Sequence, residues 1–163
     1  MKPHAGVEFR FAEQSDCALI LRFIRSLARY ERLESEVVAT EELLAEWLFE
    51  KRSAEVVFAL ADGREVGFAL FFSNFSTFLG RAGMYLEDLF VEPEYRGRGI
   101  GTALLRELAK IAVKRGYGRL DWACLDWNKD SIEFYYSLGA KSLSDWSVFR
   151  LAGDALIEMS IRE

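Results

Sequence analysis

The spacing of hydrophobic residues changes along the chain and predicts strands and helices in alternation. The segment Val7 to Ala12 alternates between apolar and polar positions, which is typical of a strand. After it, apolar residues recur every three or four positions and predict an amphipathic helix that ends near Tyr30, with Ser15 or Asp16 as its cap. The apolar face of that helix would comprise Leu19, Ile20, Phe23, Ile24 and Leu27. Thr40 is a good N-cap for a second, shorter helix.

The central part of the chain reads as a meander of strands followed by a long helix. Glu55 to Ala61 and Val66 to Phe75 are predicted strands, and Asp62-Gly63 between them is a typical two-residue hairpin turn. Met84 to Val91 is again strand-like. Gly99 to Lys114 carries a helical apolar face, and Gly116 is placed to end that helix.

The last third of the chain predicts one more strand and helix, then two closing strands. The strand is Leu120 to Leu125 and the helix is Asp130 to Leu138, ended by Gly139. The closing strands are Trp146 to Leu151 and Leu156 to Ile161. This order combines a meander with strand–helix crossovers, so we expect an α/β fold with a mixed sheet and helices on both faces. The length of 163 residues and the absence of a sharp change in composition along the sequence predict a single domain, 1–163.

Composition narrows the chemistry. The chain has one histidine, His4, near an end that we expect to be frayed, so a histidine base, a Ser-His-Asp triad or a histidine metal centre is close to excluded. Its two cysteines fit neither a disulfide framework nor a metal-ligand spacing. No apolar run approaches the roughly 18 residues of a membrane span, and the start lacks the pattern of a secretory signal. We therefore expect a cytoplasmic protein without a metal and without a membrane partner.

The charge distribution favours a cationic ligand over a nucleic acid. The formal net charge is −5, which argues against a nucleic-acid surface. Residues 31–50 hold seven acids and one base, so the net negative charge of this segment is larger than that of the whole chain. A second acidic group follows at Glu87, Asp88, Glu92 and Glu94. These acids either form a solvated face of the protein or create a local negative potential that concentrates a cationic substrate.

The most informative segment is YLEDLFVEPEYRGRGIGTALLRELA, in which a strand leads through a glycine-rich loop into the long helix. Glycines allow close backbone approach, and the N–H groups at a helix start favour a phosphate or pyrophosphate. Arg96 and Arg98 would add charge-assisted contacts. The loop lacks the lysine of a P-loop, and Thr102 stands where a dinucleotide fingerprint needs glycine or alanine.

The pattern Arg96-x-x-Gly99-x-Gly101 after an acidic strand resembles the acetyl-CoA pyrophosphate loop of the GNAT superfamily of N-acetyltransferases. The segments ALILRFIRSLARYERLESEV, YLEDLFVEPEYRGRGIG and DWNKDSIEFYYSLGAKSL resemble the diamine (spermidine/spermine) acetyltransferase branch. The resemblance implies a mixed, splayed central sheet in which acetyl-CoA wedges between two central strands. It also implies a homodimer, with the C-terminal apolar residues at its interface or in an ordinary core.

The resemblance implies three groups of residues around acetyl-CoA. The backbone of Leu89, Phe90 and Val91 would pair with the pantetheine arm as a strand does. The pyrophosphate would be held by Arg96, Gly97, Arg98, Gly99, Ile100, Gly101 and Thr102. A second turn would contact the cosubstrate through Asn128, Lys129, Asp130 and Ser131, and Asn128 could equally be a helix cap.

Catalytic roles follow from the resemblance together with acid–base chemistry. The family spacing Asn-x-x-Ser-x-x-Phe-Tyr selects Tyr135 over its neighbour Tyr136, to contact the cosubstrate and protonate the departing thiolate as general acid. Without the family, Tyr135 would read as a buried aromatic residue. An alkylammonium must lose a proton before it attacks a thioester, and Glu87 is the candidate base or amine anchor, unless it is only an exposed strand acid. Strand alternation predicts that Glu87 and Asp88 lie on opposite faces.

Tyr30 and Glu31 match positions at which the diamine branch holds its acceptor. Arg32 and Ser35 interrupt the run of acids that follows in the family, so a small amine fits better than a long polyamine, and thialysine-like or lysine-like acceptors stay open. The leading interpretation is acetyl transfer from acetyl-CoA to a small cationic amine by direct attack in a ternary complex. The alternatives are a protein or peptide N-acetyltransferase and a non-catalytic acyl-CoA sensor.

Overall fold

The computed structural model describes residues 6–162 and divides into two compact units, one ending at Ala123 and one beginning at Cys124. The first unit contains the strands β1 (Val7–Phe11), β2 (Glu55–Ala61), β3 (Arg64–Ser76), β4 (Arg81–Val91) and β5 (Leu120–Trp122). Its helices are α1 (Cys17–Glu31), α2 (Glu41–Leu44), a π-helical turn (Ala45–Glu50) and α3 (Ile100–Lys114). The second unit contains α4 (Lys129–Ser137) and α5 (Gly153–Ile161). The prediction of one domain over 1–163 stays a prediction.

The first unit is built on a mixed five-stranded sheet in the order β1-β2-β3-β4-β5. The first four strands are antiparallel neighbours, and β5 runs parallel to β4. The predicted hairpin turn is confirmed: Ala61 pairs with Arg64, and Asp62 and Gly63 both have a positive φ, 53° and 71°. Two successive residues at positive φ form the turn whose twist matches that of the flanking strands.

Helices cover both faces of this sheet, as predicted. Phe23 of α1 stacks on Phe68 of β3, with ring centroids 5.1 Å apart, in a core that includes Phe58 and Phe90. The neighbouring Gly67 faces the other way, since a Cβ built on it would lie 3.4 Å from Leu104 Cδ1 of α3. Adjacent strand residues point to opposite faces, so α1 and α3 pack on opposite sides of the sheet.

Local signals fix several helix ends where the sequence predicts them. The Thr40 side chain accepts a hydrogen bond from the N–H of Leu43 at 3.3 Å, which confirms Thr40 as an N-cap. Gly116 has φ 72° and ends α3 in a Schellman motif, in which the Tyr117 N–H donates to the Ala112 carbonyl at 2.9 Å. Gly139, with φ 86°, follows α4 in the same manner.

The two predicted closing strands are wrong. Residues 146–151 have no regular structure, and Gly153–Ile161 forms α5 where Leu156 to Ile161 was expected to be a strand. The side chains of this stretch are exposed; Phe149 is 92% exposed. A strand needs a neighbour for its backbone hydrogen bonds, whereas a helix satisfies its own. The predicted strand at 120–125 is also shorter, since β5 ends at Trp122. Among residues 6–162, no helix is long and apolar enough to cross a membrane.

Candidate active site

The strands β4 and β5 part in the middle of β4 and leave an open backbone edge. Their pairing runs from Met84–Leu120 to Leu86–Trp122, and β4 then continues to Val91 beside β3. The N–H of Glu92 donates to the Val66 carbonyl at 2.8 Å, so the even-numbered residues of this stretch face β3. In an antiparallel pair the residues between them direct their N–H and C=O groups away. Leu89 and Val91 therefore face the open edge, and Phe90 bonds toward β3.

The glycine loop leads from this edge into α3. Gly97 and Gly99 adopt left-handed φ values of 71° and 76°, and Gly99 is the N-cap of the helix. The first intrahelical bond joins the Ala103 N–H to the Gly99 carbonyl at 3.0 Å. The N–H groups of Ile100, Gly101 and Thr102 precede that bond and sit at the positive end of the helix dipole. This arrangement suits a phosphate or pyrophosphate.

Arg96 links the loop to the sheet and to α1. Its Nε donates to the Val91 carbonyl at 2.8 Å, and its guanidinium lies 4.7 Å from the centre of the Tyr30 ring and 5.1 Å from that of Phe90. Arg98 in turn lies over the ring of Tyr95 at 5.1 Å. Because Arg96 occupies the Val91 carbonyl, the edge groups left for a ligand are the Val91 N–H and both groups of Leu89.

A cluster of three carboxylates, Glu31, Glu87 and Asp88, lies where β4 leaves β5. Leu86 pairs with Phe71 and Asp88 with Leu70, so Glu87 is an extra residue, a β-bulge directly after the last pair with β5. Asp88 shares the α1 face with Leu70, and Tyr85 shares that face through its ring contact with Phe72, 5.2 Å between centroids. The bulge resets the alternation, so the expectation that alternation separates Glu87 from Asp88 is wrong.

Burial and mutual repulsion alter the acidity of this cluster. Desolvation of the half-buried Asp88, with the charges of Glu87 and Glu31, raises its pKa from 3.8 to about 7. Burial also raises the pKa of Glu31, and desolvation together with the charges of Glu87 and Asp121 raises that of Tyr85. A carboxyl that titrates near neutral pH can exchange a proton with a bound amine. Asp88 could not be recognised as a site residue from the sequence, because neither the bulge nor the burial of Asp88 shows in the hydrophobic pattern.

The second unit carries the remaining predicted residues on α4. Asn128 is buried and caps this helix, and its side chain accepts a hydrogen bond from the Ser131 N–H at 3.4 Å. Lys129 and Asp130 form the first turn. Tyr135 is half-buried, with its ring 5.3 Å from that of Phe134, whereas Tyr136 is 54% exposed. The two tyrosines differ in environment, as residues 100° apart on a helix do.

Comparison with known proteins identifies the family to which the chain belongs. Residues 20–140 match the model of the acetyltransferase (GNAT) family. The chain belongs to the GNAT acetyltransferase family. It is 39% identical to a thialysine N-epsilon-acetyltransferase of Bos taurus, over 96% of this chain and 98% of the relative. It is 34% identical to an L-ornithine N5-acetyltransferase of Arabidopsis thaliana, over 90% of this chain and 85% of the relative.

A solved structure agrees with the GNAT fold. An integron cassette protein from the mobile metagenome of V. cholerae superposes with a TM-score of 0.81 at 29% identity, covering 96% of this chain and 99% of its own. The chain is also 30% identical to a spermidine/spermine N(1)-acetyltransferase-like protein of Homo sapiens, over 96% of this chain and 24% of the relative. The resemblance stated from the sequence, including that to the diamine branch, is confirmed, and the chain is an N-acetyltransferase that acts on amines. GNAT enzymes use acetyl-CoA as cosubstrate. Within residues 6–162, no group of three or more His, Cys, Asp or Glu side chains could hold a metal ion.

Proposed function

We propose that this GNAT enzyme acetylates the terminal primary amine of a small cationic acceptor by direct attack on acetyl-CoA in a ternary complex. The observation that carries the proposal is the carboxylate cluster of Glu31, Glu87 and Asp88 on the α1 face, where β4 parts from β5. Clustered carboxylates attract a cation and can take up its proton.

The residues around the opening between β4 and β5 fit acetyl-CoA, which supplies an acyl thioester for transfer. The edge groups of Leu89 and Val91 offer strand-like pairing to an amide-containing arm. The N–H groups at the start of α3, with the left-handed Gly97 and Gly99, offer a cradle for pyrophosphate. Arg98 would add positive charge, and Arg96 would hold the cradle against β4. By family resemblance, the turn from Asn128 to Ser131 makes the second set of contacts.

The proton of the acceptor would leave through the carboxylate cluster. An alkylammonium has a pKa of about 10 and becomes a nucleophile only when deprotonated. Glu87, which is exposed on the bulge, would anchor the ammonium or accept its proton through water. Asp88 would accept a proton near neutral pH, and Glu31 would hold the cation beside it. Tyr30 would line the acceptor side under the guanidinium of Arg96.

Tyr135 would protonate the departing thiolate as general acid. The reference pKa values of a phenol and a thiol are comparable, so such a transfer needs little driving force. The support is the family spacing on α4. The neighbouring Tyr136, exposed and 100° away, provides a natural control.

The acceptor class is supported by the relatives. Those named above act on thialysine and ornithine, which are amino acids with a side-chain amine. A diamine or polyamine would satisfy the same carboxylates, whereas a protein or peptide amine would need a groove beyond them. Measurable acetyl transfer would directly exclude a sensor that binds acyl-CoA without turnover.

The experiment is CoA thiol release from acetyl-CoA with a panel of thialysine, lysine, ornithine, putrescine, spermidine and short peptides. We expect rapid release with a small cationic amine. The variant Tyr135→Phe should lower kcat by about 10²–10⁴-fold, whereas Tyr136→Phe should leave kcat nearly unchanged. Equal activity of both variants would remove Tyr135 from the chemistry. Acetyl-CoA binding without release for any acceptor would favour the sensor.

We also infer a homodimer in which the C-terminal segment forms part of the interface. The support is the exposure of large apolar side chains there, among them Trp146 at 77% and Phe149 at 92%. Light scattering should give twice the 18.7 kDa chain mass. A mass near that of one chain would contradict the dimer. The cytoplasmic location stays a prediction.

A further inference from the structure

Three polar side chains, Asn74, Arg119 and Asp121, meet over a glycine on the α1 face of the sheet. Arg119 Nε lies 2.7 Å from Asp121 Oδ2, and Asn74 Nδ2 donates to the same Oδ2 at 3.3 Å. They reach one another across Gly83 of β4: a Cβ built there would come within 2.5 Å of Asn74 Oδ1 and 2.8 Å of Arg119 Cγ. Gly83 therefore makes room for the cluster.

The orientation of Asn74 is costly, which points to a role for the cluster. Its Oδ1 is buried and finds no hydrogen-bond partner among residues 6–162, while its Nδ2 serves Asp121. Turning the amide over would direct Oδ1 at the carboxylate and replace an attraction by a repulsion. A buried unsatisfied acceptor is destabilising, and a native structure keeps one only where something else is gained. Here the gain is a fixed position for Asp121.

The ion pair between Arg119 and Asp121 leaves complementary groups available. Among residues 6–162, both contacts use Asp121 Oδ2, so Oδ1 can accept from a ligand. Within the same residues, Arg119 uses Nε in its ion pair, so its two terminal nitrogens can donate to a ligand side by side. The side chains are 39% and 29% exposed for Arg119 and Asp121, within reach of a ligand. The terminal nitrogens of Arg119 can bind the carboxylate of an amino-acid head group, and Asp121 Oδ1 can bind its ammonium group.

The distance to the carboxylate cluster fits a short acceptor. Asp121 pairs with Tyr85, and Glu87 lies two residues further along β4, toward the opening between β4 and β5. Two residues of strand and one strand spacing place the two Cα atoms about 8 Å apart. The terminal amine and the α-carbon of an extended lysine-like side chain are about 6 Å apart, from bond lengths near 1.5 Å.

We propose that Arg119 and Asp121, oriented by Asn74, bind the α-carboxylate and α-ammonium of a short α,ω-diamino acid whose terminal amine is acetylated. The inference rests on the proposed function and adds the groups that distinguish a diamino acid from a diamine. Arg119 is the discriminating residue, because only the diamino acid carries a carboxylate. Its removal should affect KM for the diamino acid and spare the diamine.

The test compares L-ornithine with putrescine, which lacks only the carboxylate. Arg119→Gln should raise KM for ornithine about 10–100-fold, with kcat largely kept and putrescine kinetics unchanged. Arg119→Lys keeps the positive charge and loses the paired donors, so its KM for ornithine should lie between those of the wild type and Arg119→Gln. Arg64→Gln, an exposed arginine at the start of β3, is the matched control. Thermal melts confirm that each variant is folded.

Binding measured by calorimetry separates the two proposals. If the wild type turns over neither acceptor but binds ornithine in a manner that depends on Arg119, the proposed function fails, whereas the assignment of Arg119 and Asp121 to the amino-acid head group stands. If Arg119→Gln leaves ornithine KM and binding unchanged, or weakens ornithine and putrescine equally, the inference is overturned and the proposed function stands.

Discussion

Asp88→Asn is expected to stabilise the protein at pH 8 while lowering its activity. Asp88 has a pKa of about 7 in the folded chain against 3.8 ordinarily, so the folded state holds this proton more tightly than the unfolded state. The contribution of the group to stability is therefore complete below about pH 4 and is lost as the pH rises through 7. This rise in the pKa of Asp88 corresponds to about 4 kcal/mol. Partial contact with water screens the charge, and we expect about 2–4 kcal/mol.

Asparagine has nearly the same shape and carries no titrating proton, so the variant escapes this loss. Its free energy of unfolding, measured in urea between pH 4 and pH 8, should diverge from that of the wild type progressively between about pH 4 and pH 7. The exposed Glu94→Gln should differ from the wild type by less than about 0.5 kcal/mol throughout. A constant difference between Asp88→Asn and the wild type across this pH range would refute the reasoning. Thiol release on the same samples should show kcat/KM reduced at pH 8.

Three further changes test other parts of the site and fold. Gly99→Ala should weaken acetyl-CoA binding by calorimetry, whereas Gly80→Ala, which meets similar strain at φ 61° outside the loop, should not; equal effects would mean that strain alone acts. Glu87→Gln removes a negative charge beside Asp88 and should move the acidic limb of the kcat/KM profile to lower pH; an unchanged limb would separate Asp88 from the rate. Thr40→Ala should cost about 1 kcal/mol in urea, and no loss would mean that the cap contributes nothing.

The sequence predicted best what depends on neighbouring residues. The hairpin at Asp62-Gly63, the cap at Thr40 and the end of α3 at Gly116 each depend on the local conformations of a few residues, and all three are confirmed. The strands at 146–151 and 156–161 failed for the opposite reason, because a strand exists only where another strand lies beside it. Apolar residues in those segments say nothing about whether a neighbour is present.

In the candidate site, too, the features that depend on neighbouring residues could be predicted and those that depend on distant residues could not. The glycine loop from Arg96 to Thr102 could be predicted, since glycines before a helix have direct conformational consequences. The acidity of Asp88 depends on burial under α1 and on two carboxylates that come from different elements, so only the folded chain reveals it. The cluster of Asn74, Arg119 and Asp121 is likewise assembled from β3, from β5 and from the residue just before β5.

The β-bulge at Glu87 has a consequence for how this enzyme tolerates changes in length. Leu86 and Asp88 pair with the consecutive residues Phe71 and Leu70, so a chain that lacked Glu87 would form an unbroken ladder with β3 and keep Asp88 on its present face. A bulge bends its strand, and this bulge lies directly after the last residue that pairs with β5. The ladder between β3 and β4 does not need this residue, whereas the bend that it gives β4 lies where the pairing with β5 ends. We expect deletion of Glu87 to leave an ordered sheet in which β4 and β5 can pair beyond Leu86 and Trp122.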